Sequence, residues 1–135
     1  MDKDIQEAQE VIVIDPVAMN VVNRIAPGSR LSGVLEFEGG VMVQGRLEGT
    51  IKIVGGPLVL LQGGVISGTF ECSEDAYLFG TIDPRSDGEL SELTADGAVF
   101  LAETLDAKAN ITARSMKTFE GSQVEGRIRT VRKAK

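Results

Sequence analysis

With no histidine and a single cysteine, Cys72, this chain has little besides carboxylates with which to do acid–base chemistry. Ser–His–Asp and Cys–His nucleophile arrangements cannot be assembled, nor can a Cys/His zinc site or an intramolecular disulfide. The same lack argues against the acyltransferases and zinc carbonic anhydrases of left-handed hexapeptide helices, which commonly rely on a catalytic or zinc-binding histidine. Among the acids, Glu36 and Glu38 stand two residues apart in LEFE. On one strand they would be about 7 Å from each other, within the range an inverting glycosidase uses. Leu35 and Phe37 alternate with them, however, so a solvated outer face already accounts for both glutamates. In DPRSDGEL, Asp83, Asp87 and Gly88 have some of the spacing of a calcium loop, but Arg85 occupies a ligand position and Thr94 stands where the bidentate glutamate belongs. An exposed loop is the better reading. No GxxxxGK[ST] occurs, and the Gly-Gly pairs at 39–40, 55–56 and 63–64 lead into Val41, Pro57 and Val65 rather than into a helix. No catalytic group, nucleotide, metal or cofactor is expected. The sequon Asn110–Thr112 has meaning only for a secreted chain.

The elements that carry these residues are short and repetitive. In VMVQGRLEGTI (41–51) the residues Val41, Val43, Gly45, Leu47, Gly49 and Ile51 share one parity, so glycines fall on the same face as the bulky aliphatics. The pattern aliphatic or Phe, any, Gly, any, aliphatic or Phe recurs as LSGVL (31–35), VQGRL (43–47), LEGTI (47–51), ISGTF (66–70), LFGTI (78–82) and VEGRI (124–128). AKANI (107–111) has alanine in place of glycine. Further alternating runs lie between them: LEF at 35–37, IKI at 51–53, LVL at 58–60 and AVFLA at 98–102. Almost nothing has a 3.6-residue period.

Many short strands punctuated by glycine predict a solenoid, in which the chain winds in stacked coils. Corresponding motifs at 31, 47 and 66, and then at 105 and 124, set coils of 16 to 19 residues. Residues 25–128 would then make about six coils, a stack roughly 30 Å long at ~4.8 Å per coil. The glycines mark corners, where the faces converge and the backbone must bend. A small antiparallel barrel turned at the Gly-Gly pairs is the alternative, though hairpins call for longer strands than these.

Composition agrees with such a core. Hydrophobic residues make up 42% and mean hydropathy is +0.04, yet aromatics are only 4%, there is no tryptophan, and glycine reaches 16 of 135, so small and β-branched side chains must fill the interior. The net charge of −6 is unevenly spread: −3 over residues 1–24, −7 over 25–123 and +4 over 124–135. An acidic body disfavours nucleic-acid binding, which needs a broad basic surface. Arg127, Arg129, Arg132, Lys133 and Lys135 form the only basic cluster, read either as a solvated terminus or as a contact for an acidic partner or anionic lipid. The acidic start MDKDIQEAQE has no signal-peptide character and the apolar run 11–14 is too short to span a bilayer, so a cytoplasmic location is the default expectation.

An open solenoid exposes at each end a coil of unpaired backbone and a cross-section of the core, which invites another copy unless capped. At the C-terminal end Met116, Phe119, Val124 and Ile128 are the candidate interface. At the N-terminal end it is Ile25, Leu31, Leu35 and Phe37, preceded by a tail in which VIVIDPVAMNVV could itself be a strand-forming cap. End-to-end self-association into filaments is expected, driven by β-pairing and apolar burial.

LSGVLEFEGGVMVQGRLEGTI, followed by VISGTF, LFGTI and FEGSQVEGRI, resembles the bactofilins, bacterial polymer-forming cytoskeletal proteins, over about residues 25–128. The resemblance implies an all-β fold: a right-handed, triangular parallel β-helix at 25–128, between a flexible N-terminal tail (1–24) and a basic C-terminal tail (129–135). It also implies nucleotide-independent polymerisation through the helix ends and a scaffold for cell shape or envelope morphogenesis, stalk or appendage placement, or chromosome positioning, with cell-wall enzymes as typical clients. Phe119, in a late FEG segment, would take the role of the family's C-terminal hydrophobic polymerisation region. Many members carry a hydrophobic or basic N-terminal membrane-targeting segment; this chain opens acidic, which leaves membrane association at the inner face of the cytoplasmic membrane open. Residues 83–98 lack the repeat, so one coil there is irregular or its loop enlarged. A monomeric partner-binding solenoid and a carbohydrate-active enzyme remain the competing readings.

Overall fold

A computed structural model of the chain describes residues 13–131. Among these there are fourteen strands and no helix, and every pairing between strands is parallel. The chain forms a β-solenoid of six coils. The first consists of β1 (Val21–Ile25) and β2 (Arg30–Glu38), the second of β3 (Gly40–Val43) and β4 (Arg46–Val54), and the third of β5 (Leu58–Leu60) and β6 (Val65–Cys72). The fourth has β7 (Ala76–Leu78), β8 (Thr81–Ile82) and β9 (Ser91–Ala95); the fifth β10 (Ala98–Leu101) and β11 (Asp106–Ala113); the sixth β12 (Ser115–Thr118), β13 (Gln123–Glu125) and β14 (Ile128–Thr130).

One sheet stacks β1, β3, β5, β7, β10 and β12. The long strands β2, β4, β6 and β11 each cover two further faces, which is evident where neighbouring coils break them in two: β8 and β9 pair with successive halves of β6, and β13 and β14 with successive halves of β11. Each coil therefore has three sides. Strand pairing begins at Val21, so Val21 to Arg24 of the expected N-terminal tail belong to the first coil. The remainder of both expected tails lies largely outside the described residues.

Inward residues stack in columns down the tube. One runs Leu31–Leu47–Ile66–Ile82–Ala107–Val124 and another Leu35–Ile51–Phe70–Leu93–Ile111–Ile128. The first sheet contributes Ile25–Val43–Leu60–Leu78–Leu101–Thr118. Middle members are almost completely buried; in the first of these columns Leu47 of the second coil gives way to Ala107 in the fifth, while in the second Ile51 is matched by Ile111. Motif spacing alone puts the start of the fifth-coil motif at 105, whereas the strand register puts Ala107 there, beside Ile82.

The five-residue pattern marks two different corners. Gly45 and Gly80, in VQGRL and LFGTI, lie where the chain leaves the first sheet, and their φ angles are not positive. Gly33, Gly49 and Gly68, in LSGVL, LEGTI and ISGTF, lie where β2, β4 and β6 bend between their two faces, with φ of 133°, 128° and 119°. These three are in register, and a Cβ at Gly49 or Gly68 would run into the carbonyl oxygen of the glycine one coil back. Only glycine satisfies both the dihedral and the close approach.

The irregular coil is the fourth, and its loop is enlarged. After β8 the chain makes an excursion over residues 83–90 before β9 resumes the stack, so that Thr69 pairs with Glu92, 23 positions on. At that corner Ser91, 1% exposed, accepts a hydrogen bond from the Gly68 amide at 2.9 Å and donates one to the Asp83 carbonyl. Its hydroxyl thus supplies contacts that a continuous backbone turn provides elsewhere.

Candidate assembly surfaces

The described residues contain no group of three or more acidic, His or Cys side chains placed to hold a metal ion. Glu36 and Glu38 are exposed on the outside of β2, with Glu36 aligned to Lys52 and Lys52 in turn to Glu71 in a ladder of alternating charge. In the 83–90 loop both aspartates are engaged by arginines: Asp83 with Arg46 at 3.4 Å and Asp87 with Arg85 at 3.2 Å. Asp87 also accepts the Glu89 amide at 3.0 Å, and that bond, aided by Arg85, holds its carboxyl below the usual carboxylate range. Asn110 of the sequon is built into a corner, donating to Glu92 and accepting from the Arg127 amide, each at 2.8 Å. Among the described residues no helix is long and apolar enough to cross a membrane.

What remains conspicuous is the two ends. Among the described residues, β1 and β2 of the first coil are paired on one side only, and the same holds for β12, β13 and β14 of the last. Each end therefore carries backbone donors and acceptors able to continue the ladder. The inward columns also terminate there. At the N-terminal end Leu31 is 39% exposed, Leu35 and Phe37 are half-buried against the core, and Ile25 is already buried at 6%. Asn23 fills the remaining inward place of β1, donating to the carbonyls of Glu38 and Gly40. At the C-terminal end Met116 and Val124 pack half-buried on the core while Ile128 is 44% exposed. Phe119 is half-buried at the corner between β12 and β13, its amide bonded to the Leu101 carbonyl at 2.9 Å. Arg127 and Arg129 are exposed on this last coil, and Arg132, Lys133 and Lys135 lie outside the described residues.

The sequence reading missed a third surface, the outside of the first sheet. Arg24, Met42, Val59, Tyr77, Phe100 and Lys117 form one outward column, and the Tyr77 and Phe100 rings stack with centroids 4.7 Å apart. The signal was present in the unbroken apolar triplets VMV and LVL, since a strand wetted on one face alternates and a strand covered on both does not.

Comparison with known proteins agrees with this geometry. The family model described as "Bactofilin: Polymer-forming cytoskeletal" matches residues 23–129, spanning the stack from β1 into β14. No curated protein and no solved structure matched. A glycine-cornered parallel solenoid with an open edge at each end, matched by that model along nearly the whole stack, places the chain in the bactofilin family of polymer-forming cytoskeletal proteins.

Proposed function

We propose that this protein polymerises end to end through the first and last coils, without nucleotide, and that the resulting filament positions partner proteins for cell shape or envelope morphogenesis. The observation that carries the proposal is that the apolar columns and the β ladders both run out at open ends. Stacking one solenoid on another continues each column and pairs the free edges, removing Leu31, Leu35, Phe37, Val124 and Ile128 from water together. Burial of each such side chain is worth about 1.5–3 kcal/mol when complete, so a few suffice for a stable junction. No step in this association requires an energy source. The absence of histidine, together with the arginine-engaged loop carboxylates, favours a scaffold over an enzyme.

The basic residues Arg127, Arg129, Arg132, Lys133 and Lys135 offer partners or an anionic lipid surface a contact beside the last coil. Cell-wall enzymes are one class of client, and a cytoplasmic site at the inner face of the membrane suits the role. Substitution of a buried position by arginine places an unpaired cation in an apolar junction, at a cost of several kcal/mol. Phe119→Arg should therefore give folded protein that stays in the supernatant on ultracentrifugation, where the unmodified chain pellets as filaments in buffer free of nucleotide and metal. Normal filaments from the variant would remove Phe119 from the junction.

A further inference from the structure

We infer that the outside of the first sheet is a docking groove for the chain's own apolar run at residues 11–14. Met42 and Val59 point away from the core yet are 7% and 0% exposed. Neighbours within a flat sheet leave the outer end of a side chain open to water, so burial this complete requires chain lying across them. The path of the polypeptide leads there. Residues 15–20 form a compact turn, closed by the Met19 amide on the Asp15 carbonyl at 2.9 Å and the Val21 amide on the Pro16 carbonyl at 2.8 Å, which reverses the chain just before β1.

Asn20, with φ of 61°, fastens that turn to the coils beneath it: its carbonyl accepts the Gly40 amide at 2.7 Å, and its side chain donates to the Gly55 carbonyl at 2.8 Å. Those two contacts lie at the corners leading into β3 and β5, the strands that bear Met42 and Val59. Chain preceding the turn is thus delivered beside them. Of the two described residues before the turn, Val13 is 70% exposed and Ile14 half-buried, the alternation of a strand with one face against a surface. Ile12, which lies outside the described residues, stands two positions before Ile14 in the four-residue apolar run VIVI and so has the same parity. Tyr77 and Phe100, still half-exposed, continue the groove beyond.

The test is thiol labelling in the full chain carrying Val59→Cys. Cys72 serves as an internal control, because burial holds its thiol inert. The introduced cysteine should react with a maleimide slowly, and at least tenfold faster when Ile12→Asp and Ile14→Asp are added, with Cys72 still unlabelled as proof that the solenoid is intact. Rapid labelling in the unmodified background would overturn the inference. So would protection that survives the two aspartates, or protection that appears only as protein concentration rises, since the cover would then be a second copy. Dilution below the assembly threshold leaves the expected result unchanged, which separates this groove from the filament ends.

Discussion

Cys72 shows how much a single inward position contributes. It fills a place between Ile53 and Ala95 in a column of the second and third sides, 3% exposed, and burial with help from the neighbouring Glu71 pushes its thiol up from 9.0 to about 12. A folded-state value raised above the unfolded one means that the native protein holds a proton the unfolded chain has lost. Stability is therefore fully present below about pH 9 and falls as pH rises toward about 12, with a limiting slope of roughly 1.4 kcal/mol per pH unit. Denaturant unfolding from pH 8 to 11 should show this decline, and Cys72→Val should flatten most of it. Tyr77, raised by burial and by Asp75, contributes a weaker decline above pH 10 that the variant retains. An unchanged slope in Cys72→Val would mean that the thiol does not titrate with unfolding. At this scale the sequence was informative about what is absent, since the missing histidines removed whole classes of chemistry, but silent on which outward residues are covered.

Corners decide the element scale. The alternation and the recurring glycine made short strands and a coiled stack legible, because side-chain parity and the need for a bend are both local. Which corner each glycine serves was not legible: VQGRL and LEGTI have the same form, while only the second places its glycine at φ above 100° under another glycine's carbonyl. That distinction depends on the coil next door. It also yields a prediction. Gly68→Ala must adopt an unfavourable φ and press on the Gly49 carbonyl, whereas Gly63→Ala, at φ 97° with open space around it, carries only the conformational cost. Thermal or urea unfolding should show a loss of about 1 kcal/mol for Gly63→Ala and at least twice that for Gly68→Ala. Equal losses would mean that the glycine column is not tightly stacked. The fourth coil was hard to read for a related reason: its second corner is taken over by Ser91 and the excursion at 83–90, so no glycine marks the bend there.

For the whole molecule, contact between copies follows from the same rule that builds the interior. Each coil buries its apolar cross-section only by having neighbours on both sides, and among the described residues the first and last coils have one neighbour each. The end residues named from sequence do lie at or beside the ends, though unequally: Leu31 and Ile128 are open to water, Ile25 is already covered, and Phe119 stands at a corner rather than within a column. Sequence could identify the terminal coils because the repeat begins and stops, but not how much of each column the terminal coil leaves uncovered. The central claim is that these open ends join. Sedimentation velocity of the unmodified chain over a wide concentration range, with chelator present and no nucleotide, tests it most directly. The account predicts a broad distribution of large species that shifts to larger size with concentration and collapses to a single small species on Val124→Arg; one monomeric boundary at every concentration would contradict it.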